Sequence, residues 1–390
     1  MYLGLVETRY DYQLSYLDEW VRAWQRAASK FDTFNLIHDA HLKKLERKLN
    51  DFDLIVVLHS VSADSNAWLE KLTHLSGKKR APMILFVGNE FSSPFLSTEV
   101  RLNLIEQISP EILASQLPSD CSNWLYEKTG IRVAHAPPGI PEKPFKNSDQ
   151  VKNCDLGYRG FPYPWYLLDN ERNMTVHSVS EYFNSRKMKI DISFTQRFNA
   201  NEWFEFLRNS RFTVSSEAGS RFVFRDDNVW ISVQEYFAKN LKFYAIENDR
   251  AGMQILRRLP SYLKKVLRSL GSSLGINQAS LYKPDSREMQ ILTELIDVSK
   301  HEYRNGKCIS SRHLDALACG TWQILQPGSY NDILKEKDHF SSWTGTENEE
   351  LIELICDPTK TVSRTLNALE SLLETNTYDA RVRSLIAKLG

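Results

Sequence analysis

Short apolar runs alternate with amphipathic stretches through the first third of the chain. Helical periodicity separates the runs, as at Leu14–Lys30 and His41–Leu49. Strands of a parallel sheet that is covered on both faces are apolar along their whole length, so the alternation predicts such a sheet with helices on both sides. The predicted strands are Met1–Val6, Asp53–His59, Met83–Val87, Ile112–Ser115 and Ile131–His135.

The pattern breaks between residues 136 and 150, where four prolines and several polar residues make a long helix or a central strand unfavourable. A second alternating series follows, and it predicts a second α/β domain. We place a first domain at 1–140, a linker at 141–152, a second domain at 153–365 and C-terminal helices at 366–390. The strands predicted for the second domain are Leu156–Arg159, Met188–Ile192, Phe212–Ser215, Lys242–Ile246 and Trp322–Leu325.

Composition narrows the class of protein. Basic and acidic residues balance at 49 each, so bulk charge gives no indication of nucleic-acid binding. The five cysteines are scattered without a CxxC pair, which argues against a disulfide framework or a zinc site and fits a reducing compartment. No apolar run approaches the roughly 20 residues that span a bilayer. We therefore predict a cytoplasmic protein.

The stretch SSRHLDALACGT, residues 310 to 321, is the strongest candidate for a binding site. Ser310 and Ser311 are predicted to cap a helix that Gly320 ends, ahead of the strand Trp322–Leu325. A helix N-terminus with two hydroxyl groups and Arg312 is suited to a diphosphate or another anion. Asp315, one turn further on, is suited to ribose hydroxyls. A capped helix leading into a core strand is the alternative interpretation of the same residues.

This stretch resembles the nucleotide-sugar signature of the group-1 GT-B glycosyltransferases, in which a helix like FEAMACGTP precedes a strand. Within that group it is most similar to the spore-maturation-type branch. The resemblance implies a GT-B architecture of the α/β class, with two Rossmann-like domains facing each other across a cleft. It also implies that a nucleotide sugar is held by this stretch. Asp315 replaces the usual glutamate and Trp322 the usual proline; the donor-binding residues implied here are Ser310, Ser311, Arg312, His313, Asp315 and Thr321.

Two further segments extend the predicted donor site. CDLGYRG, residues 154 to 160, places Arg159 and Gly160 at the end of the first strand of the second domain. An arginine there is able to make a bidentate contact with a donor phosphate, although an ordinary ion pair explains it equally well. Ser220 lies in the loop of a segment, residues 201 to 227, that resembles another part of the same glycosyltransferases.

Four residues are candidates for the chemistry. Glu217 is predicted at the carboxyl end of a strand, where ligands bind in open α/β sheets, and Asp226 and Asp227 follow in the next loop. A carboxylate there is suited to act as general base toward an acceptor hydroxyl or as a nucleophile. His135 ends the last strand of the first domain and is suited to proton transfer near neutral pH, or to packing at the domain junction.

We predict no metal ion and no other cofactor, with the nucleotide sugar acting as co-substrate. Asp51-Phe52-Asp53 has the Asp-x-Asp spacing of a metal-dependent glycosyltransferase fold, but it immediately precedes an apolar strand. His38 and His41 have no third candidate ligand beside them in the sequence. Arginines and helix amides are able to stabilise the departing phosphate in place of a metal.

Residues 254–270 (QILRRLPSYLKKVLRSL) carry five basic residues, no acidic residue and apolar positions at helical spacing. Such a segment suits the anionic inner face of the cell membrane, and it also suits a helix packed on the second domain. The membrane alternative would fit an enzyme with a lipid-linked glycan acceptor.

The sequence leaves several functions open. The first is transfer of a sugar from a UDP-, GDP- or CMP-linked donor to a hydroxyl of a surface polysaccharide or lipid-linked glycan. A second uses CMP-activated Kdo through a carboxylate nucleophile, and a third is epimerisation of a sugar nucleotide. The non-enzymatic alternative is a GT-B-like module that binds a glycan. A dinucleotide-binding dehydrogenase is disfavoured, because no GxGxxG follows an early strand.

Overall fold

The computed structural model describes residues 1–9, 15–142, 152–196, 198–241, 286–346 and 348–390. The first part of the chain forms a six-stranded sheet in the order β2-β1-β3-β4-β5-β6, with every neighbouring pair parallel. Its strands are β1 (Tyr2–Glu7), β2 (Lys30–Asn35), β3 (Leu54–Val57), β4 (Met83–Phe86), β5 (Ile112–Ser115) and β6 (Val133–His135).

A second parallel sheet has the order β13-β12-β9-β7-β8. Its strands are β7 (Cys154–Arg159), β8 (Ile190–Ser193), β9 (Ser210–Ser215), β12 (Trp322–Leu325) and β13 (Ser341–Ser342). The other two strands, β10 (Val223–Phe224) and β11 (Tyr303–Arg304), form a separate antiparallel pair.

Helices fill the connections, as the apolar periodicity requires. The first domain contains α1 (Ser15–Ala27), α2 (Asp39–Lys48), α3 (Ala67–Thr73), α4 (Thr98–Ile108) and α5 (Ser119–Tyr126). The rest of the chain contains α6 (Glu171–Ser185), α7 (Ala200–Arg208), α8 (Asn228–Tyr236), α9 (Ser286–Leu295), α10 (Ser311–Ala318), α11 (Glu349–Cys356), α12 (Pro358–Leu373) and α13 (Tyr378–Ala387).

Each sheet has its own apolar core. Strands β3, β4 and β5 are buried at every position, because helices cover both faces of the first sheet. Leu156, Phe212 and Ile324 lie at the centre of a separate core around the second sheet. The last two helices pack on different sheets. Leu369 and Leu372 of α12 pack on the second sheet, whereas α13 packs on the first.

The return of α13 to the first domain is fixed by backbone and side-chain contacts. The Ile140 amide donates to the Asn376 carbonyl at 2.7 Å, at the point where the first domain ends. Arg26 of α1 donates to Asp379 of α13 at 2.7 Å. The predicted domain boundaries stay predictions, and residues 143–151 of the predicted linker lie outside the described chain.

A segment between β9 and α10 has its own strand pair and small core, and sequence analysis did not distinguish it from the second domain. We call residues 221–241 and 286–304 the insert. Strands β10 and β11 pair at its base, and α8 and α9 share a small core of Val229, Trp230, Val233 and Leu292. The predicted strand Lys242–Ile246 and the basic segment 254–270 lie outside the described residues.

One strand of the first sheet was missed. Lys30–Asn35 has mostly half-exposed or exposed side chains, because β2 is at the edge of the sheet and pairs only with β1. An edge strand of this kind lacks the apolar run by which the other strands were recognised. In the described part of the chain, no helix is long and apolar enough to cross a membrane.

Candidate active site

A pocket of about 360 Å³ opens at the carboxyl end of the second sheet, where β7 ends and α10 begins. It brings together six of the nine residues that the sequence predicted for donor binding. These are Arg159, Gly160, Ser310, Ser311, Arg312 and Asp315. The other side chains of the wall come from three segments and are Phe161, Arg172, Gln196, Phe198, Asn199, Ala200, Trp203 and Ala218.

The N-terminus of α10 is held at the pocket by a buried histidine. Ser310 is the N-cap residue, and its backbone amide donates to Nδ1 of His313 at 3.1 Å. Nε2 of His313 lies 3.2 Å from the carbonyl of Ser216 and therefore carries the proton. Burial lowers the pKa of His313 to about 3, so the ring is neutral. His313 thus joins α10 to the end of β9 from behind the pocket wall.

Two arginines give the pocket its charge. Arg312 of α10 and Arg172 of α6 both line the wall, and both are largely buried. Arg312 donates to the carbonyl of Arg159 at 3.3 Å, and Arg172 donates to the hydroxyl of Tyr163 at 2.7 Å. Neither forms an ion pair with a carboxylate in the described part of the chain. Burial, followed by the charge of Arg172, lowers the pKa of Arg312.

Two buried guanidinium groups without a counter-ion are costly, since each has lost hydration and the two repel. An anion between them would offset both effects. Arg172 was missed by sequence analysis, although it lies in the segment FPYPWYLLDNER that follows Gly160. The available signal was its place in the first turn of a helix that begins after a proline-rich loop.

Gly160 and Arg159 shape the pocket floor. A Cβ atom at position 160 would come within 2.7 Å of the Tyr158 hydroxyl and 3.3 Å of Arg312 Nη1, so a side chain there would displace the arginine. Arg159 pairs with Asp191 at 2.6 Å and also donates to the carbonyls of Tyr158 and Asp191. Its guanidinium lies over the ring of Phe206 at 4.4 Å. These contacts correspond to the ordinary ion pair that the sequence left open.

Asp315 lies one turn after Arg312 on α10, beside aromatic residues. Its carboxylate accepts a hydrogen bond from the Trp203 indole at 3.0 Å. Burial raises its pKa to about 7, and the charge of Glu19 in the first domain contributes in the same direction. Phe198 and Trp203 form an apolar face next to Asp315 in the pocket. The pocket wall therefore combines arginines, aromatic rings and a carboxyl group with a raised pKa.

Ser220 and Thr321 lie away from the pocket. The Ser220 hydroxyl is buried and donates to the carbonyl of Leu167 at 3.0 Å. The Thr321 hydroxyl is fully buried and lies 2.6 Å from the Leu207 carbonyl and 3.2 Å from the Ser210 carbonyl. Both side chains stabilise the second domain from inside, so their predicted contact with a donor has no geometric support.

Replacing Thr321 by valine is expected to lower the free energy of unfolding by about 1–3 kcal/mol, because the buried hydrogen bond to the Leu207 carbonyl is lost. The Ser210 carbonyl keeps Lys152 as a donor at 3.0 Å. The affinity for UDP should stay within twofold of wild type, since the hydroxyl is not in the pocket wall. Urea unfolding and calorimetric titration with UDP measure the two quantities. A tenfold loss of UDP affinity in a folded variant would show that Thr321 contributes to ligand binding.

Glu217 lies at the carboxyl end of β9, as predicted. Its carboxylate accepts hydrogen bonds from the Ser329 hydroxyl at 3.1 Å and the Tyr330 amide at 2.6 Å. Burial raises its pKa. The backbone carbonyl of Glu217 accepts from Arg172, and the next residue, Ala218, lines the pocket. The catalytic role of Glu217 stays a prediction.

Asp226 and Asp227, like Glu217, are not among the residues that line the pocket. Asp226 accepts from the Asn228 amide at 3.1 Å, at the start of α8. Asp227 reaches the first domain, where it accepts from the Thr98 amide at 2.8 Å and from the Ser97 hydroxyl at the N-terminus of α4. Both carboxylates hold helix ends, and neither lines the pocket. Their observed contacts are structural, and a catalytic role for either stays a prediction.

His135 is held at the junction of the two domains. Its Nε2 accepts a hydrogen bond from the Asn331 side chain at 2.7 Å, and that side chain also donates to the Gln116 carbonyl. Burial lowers the pKa of His135 to about 4, so it is neutral at physiological pH. These contacts agree with the packing alternative that the sequence allowed, and a catalytic role of His135 stays a prediction.

Among the described residues, no three His, Cys, Asp or Glu side chains come together as a set of metal ligands. Asp53 accepts from the Tyr2 amide at 2.7 Å, and His41 accepts from the Asn35 amide at 3.0 Å. The candidate metal residues are thus engaged in local structure.

No protein-family model and no curated protein matches the sequence. Solved structures do match it over almost the whole length. HepE of Anabaena, in complex with UDP-glucose, has a TM-score of 0.50 and 13% identity, with 100% of this chain and 99% of HepE covered. A trehalose-6-phosphate protein of E. coli, bound with UDP-2-fluoro glucose, has a TM-score of 0.50 and 11% identity, with 100% and 99% covered.

At identities this low the likeness shows the fold, and both proteins are GT-B glycosyltransferases. The two parallel sheets, the return of α13 to the first domain and the pocket at the carboxyl end of the second sheet agree with that architecture. The relation to the spore-maturation-type branch stays a prediction. The predicted fold class is confirmed: the chain has the GT-B fold, with two Rossmann-like domains.

Proposed function

We propose that the chain is a glycosyltransferase whose donor is a sugar linked to a nucleoside diphosphate. The observation that carries the proposal is the pair of buried, unpaired guanidinium groups of Arg172 and Arg312 beside the N-terminus of α10. A diphosphate carries enough charge to neutralise both arginines and also accepts hydrogen bonds from helix amides.

The rest of the pocket suits the nucleoside. Asp315 offers carboxylate oxygens to ribose hydroxyls, and the rings of Phe198 and Trp203 offer a surface on which a base can stack. The solved neighbours were crystallised with UDP-glucose and UDP-2-fluoro glucose, which agrees with a uridine diphosphate donor.

Transfer breaks the bond between the anomeric carbon and the phosphate oxygen, and the diphosphate leaves with the electron pair. The oxygen of the acceptor hydroxyl forms the new bond to the anomeric carbon and loses its proton. Arg172 and Arg312 would stabilise the charge that develops on it. Glu217, beside the pocket and with a raised pKa, is the candidate to accept the proton of the acceptor hydroxyl. We propose that the acceptor is a hydroxyl of a surface polysaccharide or lipid-linked glycan, bound from the side of the first domain in the cytoplasm. Membrane contact through 254–270 lies outside the described residues.

Calorimetric titration of the purified protein with UDP, GDP, CMP and uridine tests the donor class. We expect UDP to bind at least 30-fold more tightly than uridine, because uridine lacks the phosphates that would face the arginines. Arg172→Gln should remove most of that difference. Arg383→Gln, which changes an exposed arginine on α13, is the matched control and should bind UDP as wild type does.

Three results would contradict the proposal. Equal affinity for UDP and uridine would exclude a diphosphate site at the arginines. Tighter binding of CMP than of UDP or GDP would favour the acid-sugar donor in its place. Binding of UDP-glucose without release of UDP, in the presence of glycan acceptors, would favour the module that binds without turnover.

A further inference from the structure

The Asp227 carboxylate joins the insert to the first domain through hydrogen bonds. Its carboxylate accepts hydrogen bonds from the Thr98 amide at 2.8 Å, the Glu99 amide at 3.4 Å and the Ser97 hydroxyl. These donors are the exposed amides at the N-terminus of α4, where a negative charge is stabilised by the helix dipole. Asp227 is 130 positions from Ser97 and 129 positions from Thr98 in the sequence. The contact therefore depends on how the insert packs on the first domain.

The strand pair beside Asp227 is embedded in the first domain. Ser92 exchanges two hydrogen bonds with the backbone of Phe224, at 3.2 and 3.1 Å. Val223 is buried in the apolar core of the first sheet. Arg225 donates to Glu127 at 2.7 Å and lies over the ring of Trp124 at 4.3 Å. Strands β10 and β11 are therefore fixed to the first domain by both apolar and polar contacts.

Ion pairs link the chain on either side of this strand pair to the start of α6, the helix that carries Arg172. Lys307, three residues after β11, pairs with Asp169 and lies 3.3 Å from Glu171, at the start of α6. Arg221, two residues before β10, pairs with Glu171 from the other side. The Lys307–Asp169 pair is almost fully buried, so it resists rearrangement. The start of α6 is thus paired with Arg221 at one end of the insert and with Lys307 just after the other end.

Contacts with Tyr163 fix the orientation of the Arg172 side chain. Its guanidinium lies over the ring of Tyr163 at 3.9 Å and donates to the Tyr163 hydroxyl, which in turn donates to the Glu217 carbonyl at 2.8 Å. The Nζ atom of Lys307 lies 5.5 Å from the centroid of the same ring. A displacement of the insert would therefore shift α6 and Tyr163, and with them the arginine.

From these contacts we infer that Asp227 is a positioning residue, which couples the docking of the insert on the first domain to the placement of Arg172 in the donor pocket. The inference rests on the proposed function, because it assigns Arg172 to the donor diphosphate. It gives the insert a role in donor binding although Asp227 does not touch the pocket.

The coupling makes a selective prediction. Asp227→Asn should weaken UDP binding about tenfold, because the misplaced arginine loses its charge-assisted contacts. Uridine binding should change by less than twofold, since uridine has no phosphate. In the Arg172→Gln background, Asp227→Asn should have no further effect on UDP affinity. Ser97→Ala, which removes one donor from the other side of the contact, should act in the same direction more weakly.

Calorimetric titration with UDP and uridine measures these affinities, after circular dichroism has shown that each variant is folded. Glu235→Gln removes the same charge from an exposed position on α8 and should leave both affinities unchanged. Equal losses for UDP and uridine, or a tenfold loss that persists in the Arg172→Gln background, would overturn the inference in favour of a general loosening of the fold. Should Ser97→Ala be the only folded variant, unchanged UDP affinity in it would overturn the inference. Full UDP affinity in Arg172→Gln alone would instead refute the proposed function.

Discussion

Replacing Arg312 by glutamine is expected to weaken UDP binding about 100-fold while raising the melting temperature of the ligand-free protein. The first effect follows from losing charge-assisted hydrogen bonds, each worth about 1.5–3 kcal/mol, since a 100-fold change corresponds to about 2.7 kcal/mol. The second follows because Arg312 is buried, has no carboxylate partner in the described chain and is repelled by Arg172.

The gain in stability should be modest. Removing an unpaired buried charge worth about 1 kcal/mol would raise the melting temperature by roughly 2–4 °C for a domain of this size. The lost hydrogen bond from Arg312 to the Arg159 carbonyl reduces the gain. A variant that binds UDP more weakly but melts at a higher temperature indicates that Arg312 serves binding at the expense of stability.

Differential scanning fluorimetry and titration with UDP measure both effects on the same sample. Arg211→Gln is the matched control in the second domain, because Arg211 is paired with Asp155 and bonded to the carbonyl of Ile355. It should melt at a lower temperature and bind UDP as wild type does. A lower melting temperature for Arg312→Gln with unchanged UDP affinity would assign Arg312 to structure alone.

Asp315→Asn is expected to flatten the dependence of stability on pH between about 4 and 7. The pKa of Asp315 is raised to about 7 from 3.8, chiefly by burial. Between those values the folded protein holds a proton that the unfolded chain releases, so stability is greatest below pH 4 and declines as pH rises through 7. A shift of three units corresponds to at most about 4 kcal/mol. The neutral asparagine avoids this loss and still accepts the Trp203 hydrogen bond.

The variant should therefore match wild type at pH 5 more closely than at pH 8, where it should be the more stable protein. Urea unfolding at intervals across this range measures the difference. Glu205→Gln removes the same charge from an exposed position on α7 and should leave the wild-type profile unchanged. An Asp315→Asn profile parallel to that of wild type would show that Asp315 is already ionised in the folded protein near neutral pH.

The sequence predicted the helix of residues 310–321 from local signals, and its role in donor binding stays a prediction. Ser310 as cap, the periodicity of α10 and Gly320 as its end lie within twelve residues, and the structure places that helix at the pocket. Arg172 was missed because nothing near it in the sequence marks it as unpaired. Only the fold shows that the sole contacts of its guanidinium in the described chain are the Tyr163 hydroxyl and ring and the Glu217 carbonyl.

The structure places the catalytic candidates away from the pocket for a related reason. Asp227 and His135 follow strands or glycine loops, as functional residues often do. Their partners, however, are the N-terminus of α4 and the side chain of Asn331, which are distant in the sequence. A carboxylate that faces solvent and one that holds a helix in another domain look the same in a one-dimensional pattern.

By itself, the sequence determined two parallel sheets, their apolar strands and a helix N-terminus suited to an anion, because periodicity, capping and turn residues act over short distances. The tertiary structure alone decided which charges remain unpaired in the described chain and which polar side chains are buried. It also decided that the insert packs on the first domain, while Arg221 and Lys307 pair with the residues just before Arg172. Those properties depend on desolvation and on partners brought together by folding, and no local pattern in the chain records them.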